Sequence, residues 1–186
     1  MFSSTIFSPV LTKTAGEIIL DSIMTNPVIP RIGLGYDSHK LIDGAGLKLG
    51  GVTIPHDKTL QGHSDADALL HAVSDALLGA AALGDIGLFF PDTAEENRGR
   101  DSAEMLKIIW EKVQENGYRL GNIDAVILAQ KPKLLPFIPA IQKRIAEILS
   151  VSVDAIGLKA KTGEGVGPVG EQRLIEVYAT AIIYKQ

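Results

Sequence analysis

The sequence predicts a two-layer α/β sandwich, a mixed β-sheet with helices packed on one of its faces. Two observations carry this reading. Five segments rich in β-formers are interleaved with three long segments of helical period, yet the two kinds do not alternate strictly as a βαβ protein requires. The 186 residues, 46% hydrophobic and 22% charged, have the balance of one ordinary globular domain large enough to bury a core.

The strands are expected at about 31–38, 47–54, 123–129, 156–162 and 173–184. The last, RLIEVYATAII, alternates in part and is rich in β-formers. The first helix, SDADALLHAVSDALLGAAALG, is expected to start on Ser64 or Asp65 as cap and to end near Gly84. The second has Asp101 and Glu104 in capping-box spacing and an inward stripe of Met105, Ile108, Ile109 and Val113, with Gly117 as its stop. The third carries Pro139 in its first turn and turns Ile141, Ile145, Ile148 and Leu149 inward.

Residues 1–30 read as a loose N-terminal extension and residues 31–186 as the domain. The extension holds GEIILDSIM, a short amphipathic turn or two, and Met24 as an alternative start. With one Lys, no Arg, and both Glu17 and Asp21, it is a poor transit peptide. A bacterial cytoplasmic setting is expected, with a plastid as the other option.

Several function classes are excluded by composition. Eighteen Lys plus Arg against 22 Asp plus Glu, a net charge of −4, give no general attraction to nucleic acid or to an anionic membrane. Without cysteine there is no disulfide, thiolate zinc site, iron–sulfur cluster or cysteine nucleophile. No apolar run approaches the roughly 18 residues of a membrane span.

The chemistry concentrates in RIGLGYDSHK. Asp37 and His39 are two apart on a strand and so point the same way. On the first helix Asp67, His71 and Asp75 recur every four residues and share a face. One carboxylate and two imidazoles with a fourth position free make a catalytic zinc arrangement, with Asp67 or Asp75 available to orient His71. A competing set is His63, Asp65 and His71, the two-His, one-carboxylate triad of iron(II) oxygenases, although that chemistry favours an all-β jelly roll. His56, beside a proline in a turn, reads as solvated. GEGVGPVG spells GxGxxG from Gly165 to Gly170 but is no dinucleotide fingerprint, because a strand is expected to follow and only 16 residues remain.

GLGYDSH, GHSDADALLHAVSDALLGAAALGDIG, FFPDT, AQKPKLLP and KAKTGE, in this order and spacing, resemble the 2-C-methyl-D-erythritol 2,4-cyclodiphosphate synthase family of the non-mevalonate isoprenoid pathway. The resemblance runs from about residue 31 to the C-terminus. It implies a homotrimeric lyase with active sites shared between subunits, which cyclises 4-diphosphocytidyl-2-C-methyl-D-erythritol 2-phosphate and releases CMP. It implies zinc on Asp37, His39 and His71, and a second ion, Mg²⁺ or Mn²⁺, on Glu164. His63 and Thr162 match positions that stabilise the transition state. Substrate contacts are implied for Asp37, Ser38 and His39, for His63 and Ser64, and for Lys161, Thr162, Gly163 and Glu164. Asp85, Ile86 and Gly87, with Phe90, Pro91, Asp92, Thr93 and Ala94, resemble the loops for the methylerythritol part. Ala129, Gln130, Lys131, Pro132, Lys133, Leu134 and Leu135 resemble the cytidine pocket.

The chain departs from the family near its end. Lys161-Thr162 stands where the family has Thr-Thr, Pro168 where it has Phe, and Glu171 and Arg173 where it has Arg and Glu. The exchanged charges could keep a pair of reversed sign. Isoprenoid diphosphates, which the family can hold on the trimer axis, are expected not to bind here. A metal-stabilised nucleotide-binding module without turnover is the non-enzymatic alternative.

Overall fold

The structure is a computed structural model and describes residues 29–186. The extension read at residues 1–30, with its amphipathic turn and Met24, lies almost wholly outside the described residues. Strand β1 is Pro30–Asp43, β2 Leu47–Leu49, β3 Val52–Ile54, β4 Lys58–Gln61, β5 Tyr118–Leu128, β6 Ile156–Lys161 and β7 Leu174–Lys185. Helix α1 is Ala68–Ala81, α2 Ile86–Phe89, α3 Ser102–Glu115, α4 Ile138–Leu149 and α5 Gly167–Gly170. The main sheet has five strands in the order β4-β1-β7-β5-β6. Its β5–β6 pair is parallel and its other pairs antiparallel, so the sheet is mixed as expected.

Alternation sets the two faces. Along β7, Ile175, Val177, Ala179, Ala181 and Ile183 are buried, facing a helical layer led by α1, which packs on β1 and β7. α1 is apolar around most of its circumference, as a helix between a sheet and other helices should be. Gly33 and Gly35 let it lie close: a Cβ on either would sit 1.9 Å from the carbonyl oxygen of Ala76 or Ala72, respectively. The opposite face of β1 carries Ile32, Leu34 and Tyr36, which are 69%, 66% and 45% exposed.

Local readings failed where a long-range partner decides. β1 continues to Asp43 because β4 pairs with its far half, so Asp37 and His39 lie within a strand and not at its end. The segment 47–54 splits into a hairpin at Gly50–Gly51, both at positive φ (63° and 72°), as a tight two-residue turn requires. α1 begins two or three residues later than the expected cap, Asp65 or Ser64, suggested. Its cap is the fully buried Asp67, whose carboxylate accepts from Leu70 N at 3.1 Å, Gly50 N at 2.8 Å and Gly51 N at 2.7 Å. That carboxylate also ties down the hairpin's turn, whereas Asp65 reaches the hairpin only through Lys48 of β2. At the other end Ala82 takes the left-handed conformation, before Gly84.

α3 is capped by Asp101, as expected, through Ala103 N at 3.0 Å. Met105, Ile109 and Val113 are buried, but Ile108 is 38% exposed, because Leu106 and Trp110 turn the inward face away from it. α4 buries Ile141, Ile145 and Leu149 and leaves Ile148 partly covered. The Gly165–Gly170 segment ends in the single turn α5, and the next element is the strand β7, as expected. Its position after β6 separates it from an early βαβ unit. Among the described residues no helix is long and apolar enough to cross a membrane.

The Gly35 contact is directly testable. Gly35→Ala is expected to destabilise the fold by about 1–3 kcal/mol through overpacking, measured by denaturant unfolding. An unchanged midpoint would contradict the close approach of α1 to β1.

Candidate metal centre and active site

β1 presents Asp37 and His39 toward α1, and α1 returns His71 from its first turn. Asp37 Oδ2 lies 3.0 Å from His39 Nε2 and 3.1 Å from His71 Nδ1, and the two nitrogens are 3.3 Å apart. A tetrahedral ion with bonds of about 2.0 Å sets its donors roughly 3.3 Å from one another. The three atoms therefore already form one face of such a tetrahedron, and the donor set fits a divalent cation. Among the described residues this is the group of His and acid donors brought within ligand distance.

The electrostatics agree. Burial alone would raise the Asp37 carboxyl, but the imidazoles of His39 and His71 beside it outweigh that and hold Asp37 well below the usual carboxylate range. Burial would lower the His39 imidazole, and the Asp37 carboxylate raises it above its ordinary value instead. His39 is steadied from behind, Nδ1 standing 2.8 Å from the Gln61 carbonyl oxygen.

Neither residue expected to orient His71 does so through its carboxylate. Asp67 is committed to the cap and hairpin. Asp75 accepts from Ile86 N at 2.8 Å, which anchors α2, and burial beside Asp85 and Asp37 raises its pKa. The partners of His71 Nε2 are Ser102 Oγ at 2.9 Å and Ser64 Oγ at 3.1 Å. Ser102 carried no signal in the sequence beyond its place next to the cap Asp101. The iron triad does not assemble: Asp65 is engaged by Lys48 and Ser102, and His71 turns Nδ1 toward Asp37.

The triad opens onto a cleft of about 380 Å³ whose walls include His63, Ser64, Ile86, Gly87, Phe90 and Asp92. Asn97 and Met105 also line it and were not anticipated. Asn97 Nδ2 donates to the Pro91 carbonyl at 3.0 Å, pinning the loop that holds Asp92, Thr93 and Ala94. Asp85 caps α2 through Leu88 N at 3.1 Å. Ser38 is exposed on the face of β1 opposite Asp37 and His39, so within one chain it lies outside this cleft.

A second cleft, of about 170 Å³, is lined by Ala129, Gln130, Pro132, Lys133, Leu134, Leu135, Lys161 and Thr162. Lys131 is exposed beside it. Thr162 Oγ1 donates to Glu164, and Gly163 is pressed against Gly170, 2.5 Å from an added Cβ to its nitrogen.

The two clefts do not meet in one chain. Asp37 pairs with Val177, Val177 with Ile127 and Ile127 with Ala160, three strand spacings, or about 14 Å across the sheet. Near the C-terminal segment, Arg173 Nε donates to Glu171 at 2.8 Å, so the exchanged charges do pair within the chain.

Comparison with known proteins places this architecture. The YgbB family matches residues 30–184. A 2-C-methyl-D-erythritol 2,4-cyclodiphosphate synthase of Rhodopirellula baltica is 50% identical over 160 residues, 86% of this chain and 96% of that protein. A solved structure of a 2C-methyl-D-erythritol-2,4-cyclodiphosphate synthase with CDP bound superposes at a TM-score of 0.76 with 38% identity, covering 82% of this chain and 99% of that one. The bifunctional IspDF of Campylobacter jejuni gives a TM-score of 0.83 with 38% identity over 86% of this chain, which spans 43% of that longer protein.

His39→Ala removes one corner of the triangle without touching the core. It is expected to abolish stoichiometric zinc binding, read by elemental analysis after gel filtration, while circular dichroism stays that of the wild type. Retention of one zinc per chain would contradict the triad.

Proposed function

The chain belongs to the YgbB family, and from that premise we propose that it cyclises 4-diphosphocytidyl-2-C-methyl-D-erythritol 2-phosphate to 2-C-methyl-D-erythritol 2,4-cyclodiphosphate, releasing CMP. The observation that carries the proposal is the triangle of Asp37, His39 and His71 at the mouth of the 380 Å³ cleft, in a chain 50% identical to a synthase of that name.

The reaction is an internal phosphoryl transfer. An oxygen of the 2-phosphate forms a bond to the β-phosphorus, the bond from that phosphorus to the bridging oxygen breaks, and the electron pair leaves with CMP. The nucleophile belongs to the substrate, so the protein must fold it until its ends meet and screen their repulsion. Asp37, His39 and His71 would hold zinc, and Glu164, whose carboxylate is exposed, offers an oxygen to Mg²⁺ or Mn²⁺. When bound, such ions supply Lewis acidity to the phosphate oxygens.

The chain's own groups do the rest. His63 and Thr162 donate to oxygens that gain charge in the transition state. Ser64 and Lys161 hold phosphate. The walls from Ile86 to Asp92 seat the methylerythritol part, with Asp92 accepting from its hydroxyls. Ala129 to Leu135 form the cytidine pocket, with Lys133 as a countercharge near the phosphates.

A single chain cannot offer both halves to one diphosphate at about 14 Å. We therefore propose a homotrimer in which the metal cleft of one protomer faces the cytidine cleft of its neighbour, with the exposed Ile32, Leu34, Tyr36 and Tyr178 face covered in the assembly. The bacterial relative supports a cytoplasmic setting.

CMP release from the diphosphocytidyl substrate tests the activity; binding of CDP without CMP release would favour the turnover-free module. Mixing tests the sharing. His39→Ala and Glu164→Gln homotrimers are each expected to lose activity. Co-refolded in equal amounts they should regain about a quarter of wild-type sites by random pairing. No recovery would mean that each chain completes its own site.

A further inference from the structure

Behind His71 lies a chain of polar groups that the proposed reaction does not use. His71 Nε2 is 2.9 Å from Ser102 Oγ. Ser102, only 1% exposed, opens α3, and both its hydroxyl and its backbone N–H reach Asp65: Oγ to Oδ1, and N to Oδ2 at 3.1 Å. Lys48 Nζ, from β2, lies 2.5 Å from Asp65 Oδ2 and 3.0 Å from Asp101 Oδ1.

The protons in this chain are determined. Asp65, ion-paired with Lys48, accepts only. The Ser102–Asp65 bond must therefore use the single hydroxyl proton of Ser102. Toward His71 the serine can then only accept, so Nε2 must carry the hydrogen. In a neutral imidazole that leaves Nδ1 as a bare lone pair, and Nδ1 is the atom 3.1 Å from Asp37 Oδ2 and 3.3 Å from His39 Nε2. Ser64 Oγ, which accepts from Ala66 N at 3.2 Å, can share the same Nε2 hydrogen.

We propose that Ser102, locked by Asp65 and Lys48, is a positioning residue that fixes His71 as the Nε2–H tautomer and so presents Nδ1 as a metal donor. The lock is needed because the other tautomer has its own attraction: an Nδ1–H would donate to the Asp37 carboxylate at the place where a metal bond must form. The inference rests on the metal reading of the triad, and its readout is the proton position in metal-free protein, which is independent of that reading.

Asp65→Asn tests it with little change of shape. Lys48 and the Ser102 N–H both donate to Oδ2, so the amide oxygen must take that place and the NH₂ must face Ser102 Oγ. Ser102 then gives its proton to His71 Nε2. Long-range ¹H–¹⁵N spectra of metal-free protein at alkaline pH, with His71 assigned by substitution, should show Nε2–H in the wild type and Nδ1–H in Asp65→Asn. Ser102→Ala should show a mixture, and it decides the matter if Asp65→Asn does not fold. Zinc affinity, from competition with a chromophoric chelator, should weaken about 10–100-fold in both variants. Nδ1–H in the wild type, or an unchanged tautomer with zinc affinity within about twofold of wild type in folded variants, would overturn the proposal.

Discussion

The triangle of Asp37, His39 and His71 exists because a helix can touch a strand. Gly33 and Gly35 leave the α1 carbonyls nothing to collide with, and that contact carries His71 to within 3.3 Å of His39. A side chain at either glycine would lift α1 by more than the tolerance of a coordination bond. The same helix is held at its N-terminus, beside His71, by Asp67, buried and satisfied by three backbone N–H groups from two elements. Backbone packing and a capping carboxylate thus set a distance that the ligand side chains could not set for themselves, in line with the rule that sites are precise when rigid elements hold them.

The same sheet that builds one half of the site keeps the other half away. β7 and β5 lie between β1 and β6. The proposed trimer would join two incomplete clefts and cover the apolar sheet face left outside. The pairing of Glu171 with Arg173 leaves the carboxylate near the chain's end compensated by its own neighbour. In that trimer folding would make the parts and association the site.

Much of this was legible in the sequence, and the exceptions share a cause. Asp37, His39 and His71 could be read because strand and helix periods fix which side chains share a face. The mixed sheet followed from strand and helix patterns without strict alternation. The true cap of α1 was missed because three candidates sit within four residues and the choice is made by a hairpin seventeen residues away. Ile108 was misplaced because a stripe drawn from four residues ignored the pull of Trp110. Lys48, Asp65 and Ser102 meet from three separate segments, so no local spacing could join them. The separation of the two clefts depends on strand order, which periodicity does not encode.

The central claim is that Asp37, His39 and His71 share one cation and leave its fourth position open. Anomalous diffraction recorded on both sides of the zinc absorption edge, from crystals grown with zinc, tests it most directly. One peak per chain about 2 Å from Asp37 Oδ2, His39 Nε2 and His71 Nδ1 is the predicted result. Density centred elsewhere, or bound through His63 in place of His39, would contradict it.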